Sequence, residues 1–315
     1  MLERRGLSHV SNVASVASGP PEIVGDRYLL GKSVGAGSSG TVYLARDRHS
    51  GDRYAVKIRE AHGREQPVRF IAEARDMARL RHPRLVPVVD AGNDGDLYWF
   101  VMPFFVNGSL RDRVRRTGPL SSAEGLKTIF CVIEGLDAIH KAGLVHRDVK
   151  PHNVLVDDDD VPVITDFGLV RHVNGGVPYR TRTDQSMGTP NYRAPEQAVD
   201  AANVDHRADI YGLGATLYFL VTGRRPGFLY MVDESDATME RVDPLLRPFI
   251  LRCMAYEADE RFQNARQTAE EVASVAQRIG RQQGRPDLGS GWMHRFDRGG
   301  GRSLWDRFVA WITGA

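Results

Sequence analysis

The first third of the chain contains short segments rich in apolar, β-branched and aromatic residues, separated by glycine-rich or polar turns. Three of them are Tyr28–Leu30, Thr41–Ala45 and Tyr54–Ile58. Segments of this composition between turn residues are typical of β-strands. Two more strands are predicted around 85–90 and 97–102, joined by the turn-forming Asn93-Asp94-Gly95. The pattern therefore predicts an antiparallel meander.

Helical periodicity appears between these strands and dominates the rest of the chain. Between 68 and 81 apolar residues recur near the 3.6-residue period of a helix, and Pro83 ends the segment. Helices are clearest again over 126–142 and 210–222, with a loop-rich stretch over 143–201 between them. We therefore expect an α+β fold in which a small β lobe with one main helix precedes a larger, mainly α-helical lobe.

The composition changes near both ends. The first residues are rich in Ser, Val and Gly, as in a disordered leader. After about residue 280 Gly, Arg, Gln and Ser predominate, as in a linker. The apolar face of a short amphipathic segment follows, formed by Leu304, Trp305, Phe308, Trp311 and Ile312. The predicted divisions are a leader over 1–25, a domain over 26–280 with lobes at about 26–105 and 106–280, and the linker with its amphipathic segment over 281–315.

The overall composition is that of an ordinary folded protein. Of the 315 residues, 42% are hydrophobic and 26% are charged, and the net charge of +2 indicates no nucleic-acid partner. The only cysteines, Cys131 and Cys253, are too few for a disulfide framework or a zinc site with four cysteine ligands. The sequence has no apolar window of about 18 residues, so we expect no transmembrane segment and a cytoplasmic location.

The segment Gly35-Ala36-Gly37-Ser38-Ser39-Gly40 fits the pattern G-x-G-x-x-G, which occurs in two unrelated nucleotide-binding folds. A dinucleotide-binding fold requires a helix after the third glycine, whereas the strand-like 41–45 follows here. The loop is therefore expected to join two strands and to cover phosphate groups, because glycines let backbone N–H groups approach phosphate oxygens. A P-loop over Gly31-Lys32-Ser33 is rejected because Asp26 stands where that motif requires glycine.

Two charged residues extend this nucleotide-binding interpretation. Lys57 ends an apolar strand, and Glu73 lies on the first predicted helix. Each has a plain alternative, because a strand lysine can extend to water and a helix glutamate can be a solvated surface acid. Together with the glycine loop, however, they match the Lys–Glu pair that holds the phosphates of a nucleoside triphosphate.

The most specific stretch of the chain is His146-Arg147-Asp148-Val149-Lys150-Pro151-His152-Asn153, in which Asp148 and Asn153 are five residues apart. The tripeptide Asp166-Phe167-Gly168 begins thirteen residues after Asn153. Metal-bound phosphate needs hard oxygen ligands, which an amide and a carboxylate from these two loops are expected to supply. Asp148 is then available to orient a hydroxyl nucleophile. A further string, Gly188–Glu196, closes the loop region.

In order and spacing these motifs resemble the catalytic domain of eukaryotic-type (Hanks-type) serine/threonine protein kinases, over residues 28–275. The resemblance implies a two-lobed protein kinase fold that transfers the γ-phosphoryl group of ATP to Ser or Thr hydroxyls of proteins. Lys57 would contact the ATP phosphates and pair with Glu73. Asn153 and Asp166 would hold Mg²⁺, for which Mn²⁺ is an alternative.

The resemblance also implies roles for the remaining motif residues. Asp148 would position the substrate hydroxyl and accept its proton, and Lys150 would neutralise the migrating phosphoryl group. The hinge between the lobes aligns with the segment around Pro103, where a proline is tolerated because only its C=O would contact adenine. The residues implied in ATP binding are Gly35, Ala36, Gly37, Ser38, Ser39, Gly40, Val42, Ala55, Lys57, Glu73, Met102, Pro103, Phe105 and Leu155.

Within that set, Val42, Ala55 and Leu155 would enclose the adenine ring, and Phe105 would donate its backbone N–H to it. Other residues resemble structural anchors of the family. Asp209 resembles the helix residue that holds the catalytic loop, and Arg261 resembles the partner of Glu196 in a buried ion pair.

The loop between Asp166 and Glu196 carries the predicted regulatory residues. Arg147 is suited to a bidentate phosphate contact, which indicates that phosphorylation orders this loop. By resemblance, Thr181 and Thr183 lie where autophosphorylation is expected, whereas Thr189 would contact the catalytic residues.

Two rival functions stay open, a pseudokinase that signals by binding and a small-molecule phosphotransferase with a kinase-like core. The full motif set disfavours the first. The segment 188–196, which resembles a platform for peptide substrates, disfavours the second. Protein substrates are therefore the expected partners, with a homodimer through the small lobe as an untested alternative. The apolar C-terminal face is expected to dock on the domain itself, on a partner or on a membrane surface.

Overall fold

A computed structural model of the chain describes residues 22–37, 40–61, 68–166, 171–172, 190–200 and 203–297. Within them an antiparallel sheet with one helix forms a small lobe, and helices dominate the larger lobe that follows. This arrangement confirms the predicted α+β, two-lobed class. The predicted apolar face at 304–312 lies outside the described residues.

The small lobe is built on a six-stranded sheet with the strand order β1-β2-β3-β4-β6-β5, in which all neighbours are antiparallel. The strands are β1 (Ile23–Val24), β2 (Tyr28–Gly37), β3 (Gly40–Asp47), β4 (Arg53–Glu60), β5 (Asp90–Asp94) and β6 (Leu97–Pro103). The first strand lies within the stretch that the composition assigns to a leader, and its Val24 is fully buried.

The two faces of the sheet follow the two-residue period of a strand. Along β4, Tyr54, Val56 and Ile58 pack into one apolar cluster, whereas Ala55 belongs to the core that continues into the large lobe. The same alternation places Lys57 with Ala55. Because β4 lies between two other strands, Lys57 is not the solvated edge residue that its plain interpretation suggests.

Helix α1 (Val68–Arg79) covers this inner face. Its Phe70 ring lies 5.0 Å from the ring of Phe100 on β6. The predicted strand over 85–90 is wrong for most of its length, since β5 begins only at Asp90. Leu85 instead forms a parallel bridge with Ile164, and both Leu85 and Val86 are buried in the core shared by the two lobes.

The large lobe contains seven of the helices in the described part of the chain, and α3 and α5 form its centre. They are α2 (Leu110–Thr117), α3 (Ser122–Lys141), α4 (Glu196–Val199), α5 (Arg207–Thr222), α6 (Arg247–Cys253), α7 (Ala265–Gln282) and α8 (Trp292–Asp297). Ser121 caps α3 by accepting the N–H of Glu124, whose side chain in turn accepts the N–H of Ser121. Gly223 ends α5 in the left-handed conformation that glycine favours.

The loop-rich stretch between α3 and α5 carries four short strands. They are β7 (Leu144–Val145), β8 (Val154–Val156), β9 (Pro162–Ile164) and β10 (Arg171–His172). Strands β8 and β9 form a hairpin at the acidic run 157–160. Asp157 closes its turn by accepting the N–H groups of Asp159 at 3.0 Å and Val161 at 2.8 Å.

Beyond α7 the described chain folds back onto the large lobe. Leu288 and Phe296 are buried, and α8 packs against α3 through Phe130. Both cysteines are buried and unpaired. No helix of the described residues has the length and apolar character needed to cross a membrane.

A buried ion pair joins α4 to the segment before α7. The fully buried guanidinium of Arg261 donates to both carboxylate oxygens of Glu196, at 2.6 and 2.8 Å. It also donates to the backbone carbonyls of Ala255 and Tyr256, each at 2.9 Å. Arginine supplies the planar set of donors that this arrangement needs.

We expect Arg261→Met to lower the free energy of unfolding by about 3 kcal/mol, because removing one partner leaves a carboxylate and two carbonyls without their donor. Urea denaturation measures this change. Arg278→Met is the control, since Arg278 pairs with Glu271 on the exposed side of α7 and should change the value by less than about 1 kcal/mol. Equal values for the two variants would contradict the structural role of Arg261.

Candidate functional site

Three charged side chains from different elements meet between the lobes. The ammonium Nζ of Lys57 on β4 lies 2.7 Å from Oε1 of Glu73 on α1. It also lies 2.8 Å from Oδ1 of Asp166, which follows β9 in the large lobe. The side chains of Lys57 and Glu73 are each only 2% exposed. The structure thus brings together three residues that are distant in the sequence. The pair of Lys57 and Glu73 was expected from the motifs, and the contact of Lys57 with Asp166 is an addition.

Burial and charge act in opposite directions on this cluster. Burial opposes ionisation of Lys57, but the two carboxylates outweigh it and raise the pKa of the ammonium. Burial likewise opposes ionisation of Asp166, but the Lys57 ammonium outweighs it and lowers the pKa of that carboxyl. Burial dominates for Glu73 and raises its pKa. Lys57 is therefore held in its charged form beside an ionised Asp166.

The catalytic-loop residues form a second hydrogen-bonded group. Lys150 donates from Nζ to Oδ2 of Asp148 at 2.5 Å. Asn153 donates from Nδ2 to the same oxygen and to the backbone carbonyl of Asp148, each at 2.9 Å. The pair Asp148–Asn153, singled out by its five-residue spacing, is thus in direct contact.

The conformation of this loop depends on Asp209 of α5. Its fully buried carboxylate accepts the backbone N–H of His146 at 2.9 Å and that of Arg147 at 2.7 Å. A third contact, at 2.8 Å, comes from Nε2 of His140 at the end of α3. Arg147 has a φ of 67°, which is uncommon for a side chain of its size, so these bonds hold a strained backbone in place.

His146 connects the catalytic loop to the segment that carries Asp166. Its Nδ1 accepts the N–H of Asp148 at 3.2 Å. Nε2 therefore carries the hydrogen and donates to the carbonyl of Thr165 at 3.0 Å. The N–H of Thr165 in turn donates to the carbonyl of Asn153 at 2.9 Å. These bonds hold the Asn153 and Asp166 segments side by side.

The donor set of these two residues fits a hard divalent cation such as Mg²⁺. Because Asn153 uses its Nδ2 to donate to Asp148, its amide oxygen Oδ1 is left for a metal. Lys57 occupies only Oδ1 of Asp166, which leaves the second carboxylate oxygen. Magnesium prefers a small number of such protein oxygens and otherwise retains water or phosphate ligands.

The predicted adenine-binding residues surround the junction of the lobes. Ala55, Met102 and Phe105 are buried in one apolar cluster, and Val42 and Leu155 pack against it while remaining partly exposed. Met102 pairs with Ala55 across β4 and β6. Pro103 is the last residue of β6, where its missing N–H does not interrupt the strand.

The described part of the glycine-rich loop extends the hairpin of β2 and β3. Gly35, Ala36 and Gly37 are exposed at the end of β2, and Gly40 starts β3. A side chain at Gly40 is excluded, because its φ is +134° and a Cβ would lie 2.4 Å from the carbonyl oxygen of Ile58. Ser38 and Ser39 lie outside the described residues.

The predicted phosphorylation sites Thr181 and Thr183, and Thr189 with them, also lie outside the described residues. Arg147, expected to contact phosphate, donates from Nη2 to the carbonyl of Val204 at 2.9 Å. The carbonyl of Arg147 accepts the side-chain N–H of Gln197 at 2.8 Å, so the catalytic loop is tied to α4.

Sequence reasoning missed several residues that support the site. His140 and Gln197 contact the catalytic loop or its anchor, and Arg84 and Glu134 form a buried pair behind β9. None belongs to a motif. The only sequence signal was the position of His140 and Glu134 within an otherwise apolar helical pattern.

Comparison with known proteins agrees with this geometry. The Protein kinase domain family matches residues 28–283. The chain is 34% identical over 272 residues to the serine/threonine-protein kinase PknL of Mycobacterium bovis, covering 82% of this chain and 67% of that protein. It is 32% identical over 274 residues to PknB of Mycolicibacterium smegmatis, covering 81% of this chain and 44% of that protein.

A third relative is the DNA damage-responsive serine/threonine-protein kinase RqkA of Deinococcus radiodurans. It is 38% identical over 228 residues, which cover 70% of this chain and 33% of RqkA. The chain thus spans less than half the length of several curated relatives that it matches. The match over most of its own length, together with the assembled site, shows that the chain belongs to the protein kinase domain family.

Proposed function

We propose that this chain transfers the γ-phosphoryl group of ATP to serine or threonine hydroxyls of proteins. The observation that carries the proposal is the convergence of two groups of side chains. The cluster of Lys57, Glu73 and Asp166 lies next to the catalytic loop with Asp148, and the bond between Asn153 and Thr165 joins the two. The curated relatives are serine/threonine-protein kinases.

The role of Asp148 is to orient the attacking hydroxyl and to accept its proton. Lys150 and Asn153 both bind Oδ2, which leaves Oδ1 of Asp148 for the substrate. Its orientation is fixed because the loop is held from behind by Asp209. Lys150 places a positive charge beside the reacting hydroxyl, where negative charge develops during transfer.

The role of Lys57 is to hold the ATP phosphates from the inner face of β4. It can do so only while Glu73 and Asp166 keep the ammonium in place. Asn153 and Asp166 would hold Mg²⁺, which when bound neutralises charge on the phosphates. Because the transition state of phosphoryl transfer is loose, positioning and charge provide most of the catalysis.

We further propose that the chain phosphorylates its own loop at Thr181 or Thr183. Arg147 precedes Asp148 directly, and its backbone is held by both Asp209 and Gln197. A phosphate bound near such an arginine would connect the loop to the catalytic residues.

Phosphoryl transfer itself is tested with a labelled nucleotide. Incubation with labelled ATP, Mg²⁺ and a generic protein substrate should label the substrate. Asp148→Asn should lower the rate by roughly 10²-fold to 10⁴-fold, because the amide cannot accept the proton. Lys57→Met should lower it by at least roughly 10²-fold, because the variant loses the cation that holds the phosphates. Equal labelling by all three proteins would indicate a contaminating kinase and remove the support for catalysis.

Modification of the loop threonines is tested separately. After incubation with ATP and Mg²⁺, mass spectrometry should detect phosphate on Thr181 or Thr183, and none in the Asp148→Asn protein. Thr181→Ala combined with Thr183→Ala should then reduce activity toward an added substrate. An unmodified loop in a protein that phosphorylates other substrates would refute the autophosphorylation proposal and leave the kinase activity intact.

A further inference from the structure

Helix α8 lies outside the part of the chain that matches the Protein kinase domain family, which ends at residue 283. It nevertheless packs onto α3, a central helix of that domain. The rings of Trp292 and Phe296 lie 5.1 and 6.2 Å from the ring of Phe130. The guanidinium of Arg295 lies 5.2 Å from the centre of the same ring. Helix α8 is therefore an addition that contacts the catalytic domain directly.

The turn that leads to α8 is shaped for close packing on α7. Gly289 has a φ of +81°, and a Cβ there would lie 2.7 Å from the carbonyl oxygen of Ala273. A Cβ on Gly280 would lie 2.3 Å from the carbonyl oxygen of Arg285. Arg266 on α7 also donates to Asp297 at the end of α8, at 2.7 Å. The close backbone packing at Gly280 and Gly289 and the ion pair between Arg266 and Asp297 together fix the position of α8.

A buried polar contact between α8 and the domain is made to Glu134 of α3. The side chain of Glu134 is only 1% exposed. Its Oε1 accepts from Nε of Arg295 at 2.7 Å, and its Oε2 accepts from Nε of Arg84 at 2.9 Å. A buried carboxylate is stable only when it is paired, so the position of Glu134 depends on both arginines.

Arg84 lies in a segment that is hydrogen-bonded to β9. The last residue of β9, Ile164, is two residues before Asp166. The carbonyl of Arg84 accepts the N–H of Ile164 at 2.8 Å, and the N–H of Val86 donates to the carbonyl of Ile164 at 2.9 Å. Helix α3 and β9 are closely packed at this point, because a Cβ on Gly135, next to Glu134, would lie 2.7 Å from Cδ1 of Ile164.

We propose that Arg295 and Glu134 are positioning residues for Asp166. Through Arg84, the docked helix α8 holds the segment 84–86 against β9, and β9 in turn places Asp166 beside Lys57. The part of this inference that concerns nucleotide binding rests on the proposed kinase function. The part that concerns the β9 backbone does not, so the two can fail separately.

The test uses Arg295→Met in the full chain. Hydrogen–deuterium exchange should become faster for the amides of Val86 and Ile164, by roughly twofold to thirtyfold, the range expected for couplings of about 0.5–2 kcal/mol. The KM for Mg²⁺-ATP should rise by a similar factor, because Asp166 is less well placed. Peptides from β2 and β3 should exchange as in the wild type.

Three variants separate positioning from general stability. Arg278→Met, at an exposed ion pair of α7, should change neither the exchange of these amides nor the KM. Arg295→Lys keeps the charge and should restore part of both effects, which guards against a folding defect in the methionine variant. Glu134→Gln should act like Arg295→Met, and the double variant should be no worse than Glu134→Gln alone.

Some outcomes would overturn the proposal. If Arg295→Met lowers the melting temperature but leaves the exchange rates of the Val86 and Ile164 amides and the KM unchanged, α8 only shields Phe130 from solvent and does not position Asp166. If the two substitutions are additive, Arg295 does not act through Glu134. If exchange is faster in Arg295→Met but the wild-type protein itself transfers no phosphate, the link to β9 holds and the proposed kinase function fails.

Discussion

The structure depends on one buried cation, the ammonium of Lys57. A charge that is 2% exposed is stable only with partners of opposite charge in good geometry. Those partners come from α1 and from the segment after β9, so the sheet of the small lobe, its helix and the large lobe must all be in place together. Displacing any one of them would leave a buried charge unpaired, and this makes the site a property of the two-lobed assembly.

A second buried charge has the same effect within the large lobe. Asp209 binds two successive backbone N–H groups and His140, and it thereby maintains a loop that includes a left-handed arginine. The strain at Arg147 is therefore offset by hydrogen bonds to the fully buried carboxylate of Asp209. Reactive side chains stand on a backbone that the core holds in position, which is what phosphoryl transfer requires of a protein.

Helix α8 likewise provides a charged partner for a buried side chain. It supplies a second arginine to Glu134, a carboxylate that already has one in Arg84, and the backbone of Arg84 is hydrogen-bonded to Ile164, two residues before Asp166. Glu134 has one partner within the domain, Arg84, and takes its second from α8. The addition thereby makes the position of β9 depend on a helix outside the region shared with the family.

Much of this molecule could be predicted from its residues alone. Periodicity located α1, α3 and α5 to within a few residues, because an amphipathic or buried helix repeats its apolar positions locally. The motifs paired Lys57 with Glu73 and Asp166 with Asn153, whereas the contact between Lys57 and Asp166 is seen only in the structure. The prediction of a strand from apolar residues was wrong for most of 85–90, because Leu85 forms a bridge with Ile164 instead of joining the sheet of the small lobe.

The sequence by itself determined the fold class and the candidate catalytic residues, since both can be predicted from the spacing of residues in short segments. Only the tertiary structure decided which residues support them. Glu134 meets Arg84 and Arg295 across 50 and 161 residues of chain, and His140 meets Asp209 across 69. Such pairings follow from how helices pack against each other, and no local pattern of side chains encodes that packing.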